Sequence, residues 1–465
     1  MVKKVVLNVI VYLAFQPFGG FARGEYLTDY VSIFNQQAKP SNYDKGDNAA
    51  SDYDKAIELF HEAGISIEKE DIRCWPNELK EQKQKEIEKW LQQNDSAIEH
   101  VLAGTQKPYY WKKMKSSNDS ITGISTSNLG TKEDLMRLLC YRAKLKAVHG
   151  DIAGAVEDLA VVCKFGKHMT GPKTVVEQIV GVSFQRQAVE TALMVLDRAE
   201  VKGEELEVFD SLLQICKADT NLDFMPLRLI AEESLQWAYI SDGKSMAFSE
   251  KGFHNRRSRL NLHFHNLFYR NGIFLGGFRK GHEADMSYAI AEKSIMQGMD
   301  ELEHICRLEA WQLHQLMNDD LNVLAITQRS HPFLNTIALV ALNHEICAFE
   351  RFKAYVEGLE ATLGVLRFAD EEGRLPEGLD ELQHAGIMAL LPMDPFSGDE
   401  IKYKKVGDSF TIYSYGLDFD DDAGKRWVAN YLRPSDDGDL VMFPSPRKKP
   451  KVMNPLFDVR WPKTQ

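Results

Sequence analysis

Long apolar runs are scarce in this 465-residue chain. Beyond the N-terminal segment, no stretch approaches the roughly 20 consecutive apolar residues that cross a bilayer. No membrane span is therefore expected in the mature chain. Excess positive charge is also missing. Lys plus Arg is 56 against 68 Asp plus Glu, for a net charge of −12, which argues against phosphate-backbone binding and a nucleic-acid partner. Cysteine is sparse and irregularly spaced, at Cys74, Cys140, Cys163, Cys216, Cys306 and Cys347. No C-x-x-C occurs, so zinc ribbons and thioredoxin-like redox motifs are unsupported. G-x-S-x-G, Walker A and strand-linked G-x-G-x-x-G loops are missing too. H-E-x-x-H fails because His282-Glu283 is followed by Ala284-Asp285-Met286. What remains is ordinary globular composition, 44% hydrophobic and 27% charged, enough for a sizeable core in two or three domains.

The N-terminus carries an address. Lys3-Lys4 precedes the apolar run Val5–Phe15, Gln16-Pro17 breaks it, and Gly20 and Ala22 supply small residues. That charged, apolar, small-residue order is that of a secretory signal peptide over residues 1–22; a buried first element is the alternative. The mature protein is then expected to be exported, periplasmic or extracellular, where an even cysteine count permits disulfides. The spacing selects no pairing, and several cysteines sit on apolar helical faces as small hydrophobes.

Residues 23–345 read as a helical domain. Tyr53–Phe60 has helical spacing, and Glu78–Gln93 carries Ile87, Trp90 and Leu91 as one stripe. Lys107–Gly130 is loop-like. Asp134–His149 turns Leu135, Leu138, Leu139, Leu145 and Val148 inward, Gly150-Asp151 supplies a stop and a cap, and a second helix runs through Ala155, Val156, Leu159, Val162 and Phe165. On Ala143, Gly150-Asp151, Ala155 and Pro172, this pair resembles a single tetratricopeptide-type hairpin; an ordinary αα-hairpin fits it equally. Further helices are expected over 175–200, 203–217 and 286–317, where Glu301, Glu303, His304 and His314 form a polar face.

Phe253–Met286 differs in character. Arg256, Arg257, Arg259, Arg270, Arg279 and Lys280 interleave with Phe264, Phe268, Tyr269, Phe274 and Phe278. Such a stretch either holds an anion or polymer or is an irregular packed connection. His263, His265 and His282 lie within it without a known zinc spacing.

The C-terminal third has the most specific pattern. A helix is expected over 335–369, with Phe352, Val356, Leu359, Leu363 and Leu366 on one face. There follow G-R-L-P from Gly373, the L-x-x-L helix Leu379–Leu382, Leu391-Pro392-Met393-Asp394-Pro395-Phe396-Ser397-Gly398, and strand Ile401–Val406. A Gly407-Asp408 turn leads to strand Ser409–Tyr415, with Phe410, Ile412 and Ser414 on one face, and to the acidic loop Gly416–Gly424. This order over about 351–424 resembles the headgroup of the major pseudopilin of type II secretion systems. Similar tails end large helical exported bacterial proteins, the group this chain looks more like. The N-terminus departs from the pilin pattern: Gly20-Phe21 and Glu25 match its start, but Tyr26–Tyr30 is too polar for the membrane helix that should follow.

The fold expected is mainly α, with a small α+β pseudopilin-like module over 346–430 made of a long helix and a short antiparallel sheet, then a Pro-rich tail over 431–465 with the basic cluster Arg447–Lys451. The resemblance implies calcium in the loop after the last strand, with Asp418, Asp420, Asp421 and Asp422 as metal ligands. Their D-x-D-x-D spacing is also that of an EF-hand, although Ala423 and Ala429 stand where that loop has Gly and Glu; a solvated acidic turn is the alternative. No catalytic residue emerges. The function expected is a non-catalytic exported scaffold with a protein partner in the cell envelope. The alternatives are a hydrolase of an external polymer using 253–286, and a secretion-system component cut after Gly20.

Overall fold

The computed structural model describes residues 28–62, 74–126, 128–217, 221–241, 288–317, 342–426 and 438–446. The signal segment, the basic and aromatic stretch with His263, His265 and His282, Ala429, and the cluster Arg447–Lys451 lie outside the described residues. The fold is mainly α with one small antiparallel sheet. No helix among the described residues is long and apolar enough to cross a membrane.

Helices α1 (Tyr30–Gln37), α2 (Ala50–Glu62), α3 (Glu81–Gln93) and α4 (Asp95–Thr105) lead into the central stack of α5 (Leu129–Val148), α6 (Ile152–His168) and α7 (Val175–Arg198). α5 begins five residues before the expected start, after Asn128 in a left-handed conformation. Asp151 caps α6 by accepting the Gly154 N–H at 2.9 Å. α7 opens with a reciprocal capping box between Thr174 and Glu177, which satisfies two otherwise orphaned donors. α6 and α7 cross where Gly166 meets Gly181, a position that a side chain on either would fill. Buried Asp158 on α6 takes a bidentate pair from Arg142 of α5, at 2.8 and 2.7 Å.

The expected helix over 203–217 divides into α8 (Glu204–Glu207) and α9 (Phe209–Lys217). α10 (Met225–Ser241) is tied to the 120–121 turn by Glu233, which accepts from Ser120 Oγ at 2.7 Å and from the Ile121 N–H. The expected helix over 286–317 also divides, into α11 (Tyr288–Ile305) and α12 (Ala310–Met317). The break is a local cap: Glu309 N–H donates to Gln312 Oε1 at 3.0 Å, and Ala310 N–H to Glu350 Oε2 at 3.3 Å.

α13 (Leu342–Glu372) packs along α7 and α9. It buries the expected face, Phe352, Val356, Leu359 and Leu363, with Leu366 half-buried. After α14 (Asp380–His384) and the double-Pro turn come β1 (Lys402–Val406) and β2 (Ser409–Ser414), in register from Lys402 opposite Tyr413 to Val406 opposite Ser409. Gly407 supplies the positive φ that this tight hairpin turn requires.

One feature of the tail departs from expectation. Leu440–Phe443, assigned to a tail without periodicity, forms a third strand β3 paired with β2. All four of its residues are buried, because it is covered by α7 and α13. A strand buried on both faces shows no alternation, which hides it in the sequence. One hydrophobic core runs from Tyr30 through the helical stack and α13 to Phe443.

Candidate functional site

Among the described residues, two regions gather chemically active side chains at the surface. The first is the loop between β2 and β3. It leaves β2 through a 3₁₀ turn, Gly416–Asp418, then curls through Phe419 and Ala423, both at positive φ. Ala423 adopts at φ 56 the conformation for which an EF-hand uses Gly. The curl brings ligand atoms of Asp418, Asp420 and Asp422 within 4.8 Å of one another.

The fourth expected ligand, Asp421, is engaged differently. Its Oδ1 accepts from Tyr413 Oη at 3.2 Å and from the Ala423 N–H at 2.8 Å, which ties the loop to β2. A residue outside the expected set takes its place beside the cluster. Asp439, at the start of β3, accepts the Gly424 N–H at 2.6 Å and the Asp422 N–H at 3.4 Å. Its involvement depends on β3 pairing, so no local spacing announces it.

Asp418 Oδ2 accepts the Gly438 N–H at 2.8 Å, whereas Asp418 Oδ1 and Asp422 Oδ2 are buried without a hydrogen-bond partner. Burial raises the Asp418 carboxyl to about 6, with Asp420 and Asp422 adding to it and the Gly438 N–H opposing. Burial likewise raises Asp439 to about 7, reinforced by Asp421 and Asp422 and opposed by two N–H donors. An all-oxygen set with unsatisfied carboxylate atoms suits a hard cation and offers nothing to a soft one. Asp418, Asp420 and Asp422 are the three carboxylates that the loop brings together in this set.

The second region is a cleft of about 1190 Å³ between α9, α12, α13 and the 387–398 segment. Lys217 pairs across it with Glu360. Lys353 lies 2.7 Å from Glu350 and 3.6 Å from Glu309. Leu390 and Met393 stand on its rim at 81% and 50% exposure. The double-Pro turn, Leu391–Gly398, forms one wall. Glu357 lines the cleft and is raised to about 7 by burial; Lys217 and the Met393 N–H oppose this, while Glu360 and Glu309 reinforce it.

A raised carboxylate favours the protonated folded state, so its contribution to stability declines as pH rises from 4.5 towards 7. Glu357→Gln keeps the neutral form at every pH. Urea midpoints should therefore show the variant more stable than wild type at pH 8, by about 1–2 kcal/mol, with the difference shrinking towards pH 5. A constant difference across that range would refute the assignment.

A third polar group is interior. Tyr53 Oη lies 2.6 Å from His168 Nδ1, and His168 Nε2 lies 3.1 Å from the Lys107 carbonyl. Burial lowers His168 to about 4, so Nε2 donates to that carbonyl and Nδ1 accepts from the tyrosine. Buried Lys132 and Lys173 reach Tyr110 Oη and its carbonyl at 3.3 and 2.5 Å. These contacts join α2, α5, α6 and the segment after α4 and satisfy buried polar groups. Helical spacing left Lys132 unremarked because its side chain is polar at an inward-facing position, and Lys173 lies in the turn before α7, where no periodicity marks it.

His304 and His314 occupy α11 and α12, with His314 stacked on Phe419 at 4.1 Å between ring centroids. The polymer-hydrolase and secretion-component alternatives rest on 253–286 and Gly20, outside the described residues. No protein-family model, curated protein or solved structure matches the chain.

Proposed function

We propose that this chain is a non-catalytic exported scaffold. In this reading its helical hairpins offer surface to a protein partner in the cell envelope, and its pseudopilin-like C-terminal module carries a calcium-binding loop. The observation that carries the reading is the convergence of Asp418, Asp420 and Asp422 within 4.8 Å, with carboxylate oxygens of Asp418 and Asp422 left without hydrogen bonds. A hard cation supplies the charge and coordination that those oxygens lack. Bound there, it would hold the curl between β2 and β3 and so brace the edge of the sheet.

Thermal melting with added Ca²⁺ and with EGTA tests this. Binding to the folded state alone stabilises by about 2.7 kcal/mol at a hundredfold excess over Kd. Protons compete for Asp418, raised to about 6, and for Asp439, raised to about 7. Without cation, stability contributed by these two groups declines as pH rises through that window. The Ca²⁺-induced rise in Tm should therefore be larger at pH 8 than at pH 5.5, and Asp418→Asn with Asp422→Asn should abolish it. An unchanged Tm at pH 8 in millimolar Ca²⁺ sinks the calcium reading.

A further inference from the structure

All six cysteines are unbridged thiols in the structure, and two of them are brought together. Cys163 lies on α6 and Cys216 on α9, 53 positions apart, with their Sγ atoms 2.9 Å from each other. Both are buried, at 0% and 3% exposure, inside the contact between these two helices. A disulfide needs roughly 2.05 Å, so the two sulfurs have less than about 1 Å further to approach.

We propose that Cys163 and Cys216 are a disulfide-forming pair that fastens α9 to the central helical stack. Each thiol gives up one hydrogen, the Sγ–Sγ bond forms, and the two electrons pass to a small-molecule disulfide such as oxidised glutathione, which leaves as two thiols. The route is thiol–disulfide exchange through a mixed disulfide. Burial raises Cys163 well above the ordinary thiol range and would suppress thiolate attack in the finished fold, so exchange belongs to folding, before α9 closes over α6. The choice of partner is specific. Cys140 is the alternative thiol near Cys163, but the short Sγ–Sγ approach is made to Cys216.

The consequence falls on the cleft. α9 contributes Leu213 and Lys217 to its wall, and Lys217 pairs with Glu360 of α13 across it. A covalent link from α9 to α6 fixes that wall to the central stack of α5, α6 and α7. The inference does not depend on calcium in the Asp418 loop.

The full chain is to be produced in an oxidising and in a reducing bacterial cytoplasm, and shown to be folded by circular dichroism in each case. Each sample is then denatured in excess alkylating agent and mapped by peptide mass. From the oxidising host, the Cys163 and Cys216 peptides should appear as one cross-linked species lighter by two hydrogens, with the other cysteines alkylated. From the reducing host, all six should be alkylated. Cys216→Ala from the oxidising host should yield every remaining thiol alkylated. Folded protein from the oxidising host with Cys163 and Cys216 both alkylated, or with Cys163 linked to Cys140, overturns the proposal.

Discussion

Asp394→Ala should cost about 3–5 kcal/mol, because two buried donors and one half-buried donor lose their acceptor. Asp394 is fully buried. Its carboxylate accepts from Ser414 Oγ at 2.6 Å, from the Tyr415 N–H at 3.1 Å and from the Phe396 N–H at 3.0 Å. Its main chain adds bonds to Asp399 and Gly398. One side chain thus fixes the double-Pro turn to the end of β2, immediately before the acidic loop. Removing it frees both a wall of the cleft and the strand that positions Asp418. Asp394→Asn, which keeps one acceptor oxygen, should lose about half as much. Urea unfolding midpoints of the three proteins check this, and a loss below about 1 kcal/mol for the alanine variant would contradict the role assigned to the carboxylate.

Gly166→Ala and Gly181→Ala should each destabilise by about 3 kcal/mol. At an open helix position the same change would gain about 1 kcal/mol from helix propensity. The crossing of α6 and α7 reverses the sign. A methyl at Gly166 would lie 2.5 Å from the Gly181 carbonyl oxygen, and one at Gly181 would lie 2.5 Å from the Gly166 carbonyl oxygen and 2.9 Å from Met169 Cβ. These obstacles are backbone or β-carbon atoms, which cannot swing aside, so the helices must separate. Because the two substitutions strain one crossing, the double variant should lose less than the sum of the single losses. Thermal denaturation of the single and double variants decides the point. Stabilisation by either single change would mean that the helices are not held at this distance.

Much of the architecture was legible in the residues because it is local. The α5–α6 hairpin follows from the apolar spacing of Leu135, Leu138 and Leu139 and from the Asp151 cap. The β1–β2 hairpin follows from alternation and from Gly407. The breaks after Glu207 and Ile305 were not legible; the second is closed by the Glu350 side chain of a distant helix. At the acidic loop, sequence clustering pointed to Asp418, Asp420 and Asp422. It did not separate Asp421, which Tyr413 and the Ala423 N–H engage, or include Asp439, which arrives on β3.

The sequence by itself determined the helical character, the hairpin and the acidic loop, because spacing, caps and turn residues act within a few positions along the chain. Only the tertiary structure decided the third strand, the cleft wall built from the double-Pro turn, the buried lysines around Tyr110 and the meeting of Cys163 with Cys216. Each of these depends on burial or on contact between residues far apart in the chain, and a local pattern carries no record of which distant backbone will lie against it.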